Sequence, residues 1–117
     1  MPSVFANLGH LNLSRDPSVN QRRAQRDLVD MVSHITALGR THGARIINIS
    51  ALGLMCRTGA PLDIGQRVTV WLPVVKDRAA EVRWAEDGRI GMEFVQTIEP
   101  RLYDAMVSLI PPRQTAW

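Results

Sequence analysis

Three arginine side chains lie close together near the start of the chain, at Arg22, Arg23 and Arg26. Each guanidinium is a planar fork of N–H donors that fits two oxygens of a phosphate, and the same fork fits the O6/N7 edge of guanine. About twenty residues further on, Asn48 and Ser50 stand two positions apart. On an extended segment both side chains point to the same side, where their oxygens can accept hydrogen bonds from the Watson–Crick edge of guanine. The pattern predicts binding of a guanine nucleotide that carries more than one phosphate.

The sequence lacks the residue patterns of common catalytic and metal sites. The three histidines, His10, His34 and His42, are not spaced as metal ligands. The single cysteine, Cys56, has no base beside it, no serine sits in a nucleophile elbow, and no glycine-rich loop is present to cradle phosphates. We therefore expect no enzyme activity, no metal and no cofactor beyond the ligand itself.

Composition predicts one soluble globular domain. The chain has 117 residues, of which 45% are hydrophobic and 21% charged, and this length suits a single core. Basic residues outnumber acidic ones by only 14 to 11, yet Arg15 joins the three arginines above in the first quarter of the chain, which favours an anionic partner there. A lone cysteine, the lack of a signal-like start and the lack of a long apolar run indicate a cytoplasmic protein.

Short apolar alternations separated by turn residues predict six strands. The predicted strands are Val29–Ile35, Ala44–Ile49, Leu54–Arg57, Val68–Leu72, Ala80–Ala85 and Ile90–Phe94. The predicted turns are Gly39–Gly43, Asn48–Gly53, Pro61–Gly65 and Asp87–Gly88, the last being the strongest hairpin signal because a two-residue reversal requires positive φ. Within the second turn, Gly53 permits a backbone conformation that other residues resist.

The end of the chain changes to a helical period. Pro100 suits a first helical turn, and Pro111–Pro112 ends the pattern. Between them an apolar stripe follows at spacings of three and four and consists of Leu102, Tyr103, Met106, Leu109 and Ile110. A helix over Pro100–Ile110 is expected to pack on the barrel. The predicted fold is all-β with one helix: a six-stranded antiparallel β-barrel followed by a C-terminal α-helix.

The motifs resemble those of a known family. Arg22-x-x-x-Arg26 followed by Asn48-x-Ser50-x-x-Gly53 is similar to the RxxxR and [D/N]xSxxG signatures of PilZ domains, receptors for the bacterial second messenger cyclic di-GMP. The resemblance covers Gln21 to Ile110, and it extends to two later stretches, Leu62-x-x-Gly65-Gln66-x-Val68 and Val82-Arg83-Trp84 with Gly91-Met92-Glu93-Phe94. Either motif alone is weak, whereas both in this order, within a barrel pattern, are specific.

The resemblance implies roles for individual residues. Arg22 and Arg26 would hold phosphates and guanine edges from a loop that closes over the ligand, and Arg23 would add a contact. From the barrel surface, Asn48 and Ser50 would read guanine while Gly53 keeps the turn tight. Trp84 stacks on the ligand in some members, although its alternation with Val82 favours a position in the core. The implied organisation is a flexible arm at 1–20, the PilZ-like barrel with its helix at 21–112 and a tail at 113–117.

Departures from the family pattern leave alternatives open. Asn48 stands where many members have aspartate, and a neutral amide makes a weaker hydrogen bond than a carboxylate. The signal of a single-domain receptor would leave through an unidentified protein effector, with neither DNA binding nor membrane insertion expected. One alternative is a small basic barrel that binds nucleic-acid phosphates, and another is a PilZ-like adaptor that binds protein and no nucleotide.

Overall fold

The computed structural model describes residues 25–112, which form six strands and a C-terminal helix. The helix, α1, spans Pro100–Val107. The strands are β1 (Asp27–Ala37), β2 (Arg40–Ile49), β3 (Gly53–Arg57), β4 (Arg67–Leu72), β5 (Lys76–Glu86) and β6 (Arg89–Phe94). The predicted arm at 1–20 and the predicted tail at 113–117 lie outside the described residues.

The sheet closes into a barrel. Its strand order is β1-β2-β3-β6-β5-β4, and β4 pairs back onto β1 through Ile35↔Val70 and Thr36↔Thr69. Every neighbouring pair of strands is antiparallel. The two-rung pairing of β4 with β1 closes the sheet, so neither of these strands is a free edge strand. The predicted six-stranded antiparallel barrel with a C-terminal helix is confirmed.

Alternate side chains of each strand fill the barrel interior. The inward positions of β4 and β5 show the rule: Val68 and Val70 lie beside Ala80 and Val82, and all four are buried in one apolar cluster. Burial of each of these valine side chains contributes roughly 1.5–3 kcal/mol. Ser33 is a polar exception among the inward residues, and its hydroxyl donates to the carbonyl oxygen of Trp71 at 2.5 Å.

The hairpin turns were predicted only in part. Asp87 and Gly88 both have positive φ, at 52° and 77°, as the Asp-Gly signal requires. The β1–β2 turn lies at Leu38 and Gly39, with φ of 50° and 77°, so the predicted Gly39–Gly43 turn is wrong and residues 40–43 belong to β2. The β4–β5 turn has Val74 at a φ of 68°, and no glycine signals it.

The helix ends earlier than its apolar period predicts. α1 ends at Val107, and the next residues continue in tighter turns, with the Leu109 amide donating to Met106 and the Ile110 amide to Val107, each at 3.0 Å. Ile110 is still buried. The apolar period therefore predicted the burial of Ile110 correctly, although it predicted the end of the helix three residues too late. Within residues 25–112, no helix is long and apolar enough to cross a membrane.

Candidate functional site

The end of the β1–β2 ladder brings Arg26, the last residue of the first predicted motif, to the second motif. Asp27 pairs with Ile49 in the terminal rung of this ladder. Arg26 immediately precedes the first of these residues, while Asn48 and Ser50 flank the second. The C-terminal arginine of the first motif therefore lies beside the polar residues of the second motif, as a common binding site requires.

The arginine segment is described only at its end. Arg26 is half-buried, and its partial burial lowers its pKa. Arginine stays charged in proteins even so, which leaves a partly desolvated cation at the entrance to β1. Arg22 and Arg23, the other two arginines of the predicted site, lie outside the described residues.

Asn48 lies on the outer surface of the barrel. Its partner on β3 is Met55, which stands between the inward residues Leu54 and Cys56 and so points outward. Asn48 is only 6% exposed, and its Oδ1 has no hydrogen-bond partner in the described part of the chain. A buried acceptor without a partner costs about 1–3 kcal/mol, which a ligand donor would recover.

A row of outward positions connects Asn48 with Trp84 across the barrel surface. Reading from β1 to β5, the row consists of Leu28, Asn48, Met55, Gly91 and Trp84, each paired with the next. Adjacent strands are about 4.8 Å apart, so Gly91 lies roughly 10 Å from Asn48. Met55 lies between them in this row, so its side chain belongs to the same outer surface.

Trp84 is buried, as its alternation with Val82 predicts, but it does not lie in the cluster that fills the barrel interior. The β5–β6 register shifts between Val82 and Trp84, and a bulge of this kind reverses the side to which the following residue points. Trp84 consequently pairs with Gly91, whose neighbours Ile90 and Met92 face the interior. Among the described residues, the cluster that fills the barrel includes Val82 but not Trp84.

The indole of Trp84 occupies the space that a side chain at position 91 would need. A Cβ at Gly91 would stand 2.0 Å from Nε1 and 2.3 Å from Cε2 of Trp84. The indole is 9% exposed, and its Nε1 has no acceptor within residues 25–112. An unpartnered donor and the unpartnered acceptor of Asn48 thus share one stretch of the outer surface.

Ser50 holds the β2–β3 turn. Its amide donates to the carbonyl oxygen of Gly53 at 2.8 Å, and its Oγ accepts from the amide of Leu52 at 3.1 Å. Ser50 is fully buried. The hydroxyl predicted to read guanine therefore shapes the turn that presents Asn48.

The conformational reason given for Gly53 is wrong. Within residues 25–112, positive φ occurs at three other glycines, Gly39, Gly65 and Gly88, and Gly53 is a regular strand residue paired with Glu93. Ser50 supplies the closing hydrogen bonds of the turn, so no left-handed residue is needed. Gly53 instead leaves the outer surface of β3 without a side chain beside Met55.

Two carboxylates next to this surface share one arginine, which offsets part of their negative charge. Arg83 donates through Nε to Glu93 at 2.9 Å and reaches Glu81 at 3.1 Å. The three side chains are partly exposed, so the ion pairs add little to stability. Their local effect is electrostatic, because a compensated Glu93 repels an approaching phosphate less.

Tyr103 of α1 contacts the same β1–β2 rung from the other side. Its hydroxyl donates to the carboxylate of Asp27 and lies 3.0 Å from the carbonyl oxygen of Ile49. Burial, followed by the hydrogen bond and negative charge of Asp27, raises the pKa of Tyr103 above its ordinary range. The helical period indicated only that Tyr103 belongs to an apolar stripe. Its hydroxyl, the one polar group on that stripe, was the signal that could have identified it.

Other candidate chemistry is limited in this region. Burial raises the pKa of Cys56 to about 12, so its thiol stays protonated at neutral pH. Within residues 25–112, no three histidine, cysteine or acidic side chains are grouped to hold a metal ion.

Comparisons with known proteins identify the family to which this barrel belongs. No curated protein matches the chain. The crystal structure of the Borreliella burgdorferi PlzA protein in complex with c-di-GMP is similar in fold, with a TM-score of 0.56 at 15% sequence identity. The alignment covers 87% of this chain and 44% of PlzA, so the chain spans less than half of that protein's length. The sequence model of the PilZ domain matches residues 20–110, and the chain therefore belongs to the PilZ domain family.

Proposed function

We propose that the chain is a cyclic di-GMP receptor. The observation that carries the proposal is the terminal β1–β2 rung, which brings Arg26 beside the Asn48–Ser50 segment. A cationic fork next to an unpartnered amide oxygen matches a ligand with phosphates and guanine edges. The PilZ family membership and the ligand of the similar PlzA structure support the same assignment.

The ligand contacts follow from the outward row and the arginine motif. Arg22 and Arg26 bind phosphate and the guanine O6/N7 edge, Arg23 adds a charge, and Asn48 Oδ1 accepts from guanine N–H groups. Trp84 offers its ring and its Nε1 donor at the other end of the row, with stacking as the expected contact.

Ser50 and Gly53 contribute through the β2–β3 turn. Ser50 fixes the turn backbone by its bond to Leu52, and Gly53 keeps the ligand surface flat. The resemblance assigns Ser50 a direct contact with guanine. That contact requires its hydroxyl to turn away from the amide of Leu52.

Binding requires a local rearrangement. Asn48 is 6% exposed and Trp84 9%, so a ligand reaches their polar atoms only when the surface around them opens. We propose that the arginine segment changes conformation when it engages phosphate and that a protein effector reads the new surface. Amide exchange over residues 16–27 tests this step: slower exchange with ligand is expected, and equal protection in both states would sink it.

Calorimetry with cyclic di-GMP tests the proposed receptor. Wild-type protein is expected to bind at micromolar concentration or tighter. Arg22→Ala and Arg26→Ala each remove a bidentate charged contact, which costs on the order of 1–3 kcal/mol or one to two decades in affinity. Asn48→Ala and Ser50→Ala are expected to weaken binding as well. Arg101→Ala, on the exposed surface of α1, is the matched control and should bind as wild type does.

The same experiment separates the alternatives. If the wild-type protein gives no heat with cyclic di-GMP while a generic oligonucleotide binds with a steep salt dependence, the chain is a nucleic-acid-binding barrel. If neither binds, the PilZ-like adaptor that recognises protein and no nucleotide is the alternative that remains.

A further inference from the structure

The β2–β3 turn, which carries the second motif, is hydrogen-bonded to the C-terminal part of the fold. The amide of Phe94 donates to Leu52 at 2.8 Å, and the amide of Ile98 donates to Ala51 at 2.9 Å. Both acceptors belong to the β2–β3 turn. Helix α1 starts two residues after Ile98, which is itself fully buried. The segment that leads into the helix therefore supports the turn that carries the second motif.

Tyr103 extends this support to the rung where the motifs meet. The hydroxyl joins the carboxylate of Asp27 on β1 to the carbonyl oxygen of Ile49 on β2. Asp27 follows Arg26 directly, and Ile49 stands between Asn48 and Ser50. A shift of either strand end moves a ligand-binding side chain, so one hydroxyl restrains both halves of the site.

The contact lies opposite the ligand surface. Ile49 faces the barrel interior, whereas its neighbour Asn48 faces outward, so Tyr103 contacts the rung without occupying the ligand position. A cavity of about 700 Å³ opens beside the hydroxyl, lined in part by Gln25, Asp27 and Asp104. This cavity admits water, so the Asp27 carboxylate stays solvated if the tyrosine hydroxyl is removed.

We propose that Tyr103 is a positioning residue for the ligand. By fixing the Asp27–Ile49 rung, it couples the seating of α1, meaning the packing of the helix against the end of the barrel, to ligand affinity. The proposal rests on the proposed function above. Tyr103 touches no ligand atom in this scheme. By linkage, ligand binding stabilises the seating of α1 as much as that seating strengthens binding.

Tyr103→Phe tests the coupling because it removes the hydroxyl and keeps the ring. Calorimetry well below the melting temperature is expected to show cyclic di-GMP binding roughly tenfold weaker than wild type, the size of a lost hydrogen bond to a charged group. Ser108→Ala is the matched control, since it removes another hydroxyl of the same region, which within residues 25–112 donates only to the carbonyl oxygen of Ala105. This control should leave affinity unchanged.

A second pair of variants decides the matter even if Tyr103→Phe does not fold. Asp27→Asn keeps an oxygen that accepts from Tyr103 and should bind within about threefold of wild type. Asp27→Ala removes the acceptor and should lose about tenfold, and in combination with Tyr103→Phe it should lose little more, because both changes break one contact.

The outcomes separate the two proposals. If wild-type protein does not bind cyclic di-GMP, the proposed function fails and this inference fails with it. If wild type binds and Tyr103→Phe binds as tightly, the inference alone is overturned. A purely structural tyrosine would lower the melting temperature without changing affinity, and ligand would then slow amide exchange in α1 equally in the variant and in wild type.

Discussion

Gly91→Ala tests the most specific feature of the outer surface, the position of the Trp84 ring. A Cβ at this site stands 2.0 Å from Nε1 and 2.3 Å from Cε2 of Trp84, where about 3.5 Å is a normal contact. The ring must therefore move by roughly 1.5 Å. Overpacking of this kind costs about 1–3 kcal/mol, and the lower chain entropy of alanine returns about 0.4–1 kcal/mol.

The expected net loss is about 1–2 kcal/mol, which corresponds to a fall in melting temperature of roughly 4–10 °C for a domain of this size. Thermal and urea unfolding measure it. Gly43→Ala is the matched control because Gly43 is also a strand glycine, has no positive φ and has nothing within 4 Å of a built Cβ. That variant is expected to be as stable as wild type or slightly more so.

The decisive experiment repeats Gly91→Ala in a protein that lacks the Trp84 indole. In a Trp84→Ala background the clash is gone, so Gly91→Ala should cost almost nothing. An equal cost in both backgrounds would refute the placement of Trp84 over Gly91, and so would equal stability of the Gly91 and Gly43 variants. Trp84 would then lie elsewhere and would not belong to the row of outward positions that includes Asn48.

Three further predictions concern single groups. Tyr103 is the only tyrosine, and since burial, Asp27 and Asp104 raise its pKa, absorbance should show almost no tyrosinate near pH 10 until the protein is unfolded; a native midpoint near 10 would contradict this. Its hydroxyl stabilises the fold fully below about pH 10, and urea titrations should show a loss of about 1.4 kcal/mol per pH unit above it. Cys56, with a pKa of about 12, should react with a thiol reagent only as fast as the protein opens, whereas rapid native labelling would contradict its burial. Ser50→Ala should cost about 1–2 kcal/mol in urea unfolding because Leu52 loses its acceptor, and Ser108→Ala, which loses an exposed hydroxyl, should cost less than half of that.

The strands could be predicted because their information is local. Burial alternates with a period of two through β4, and the Asp87–Gly88 turn needs only its own two residues. The same holds for the meeting of the motifs, since a β1–β2 hairpin brings Arg26 towards Ser50 once the strands are known. Turns at Leu38 and Val74 could not be predicted, because positive φ at these residues is imposed by strand pairing.

The remaining features of the site depend on contacts between distant parts of the chain. Trp84 was assigned to the wrong side because a bulge is a property of the β5–β6 register, and strict alternation cannot reveal it. The Tyr103 hydroxyl meets Asp27 across 76 residues of sequence. Gly53 was explained by its conformational freedom, whereas its role depends on the surface to which its strand belongs.

The C-terminal segment also has a consequence for how such a domain is built into larger proteins. The amide of Asp30 donates to Pro111 at 3.1 Å, and Val29 bridges to Pro112, so the chain enters and leaves the barrel at nearly the same point. Domains with adjacent ends tolerate insertion into loops of a host protein and circular permutation. Because both connections start beside the Asp27–Ile49 rung, a host joined at either end is attached where the motifs meet. Insertion of this barrel into a loop of a reporter enzyme would therefore join the host to the barrel next to the proposed ligand site.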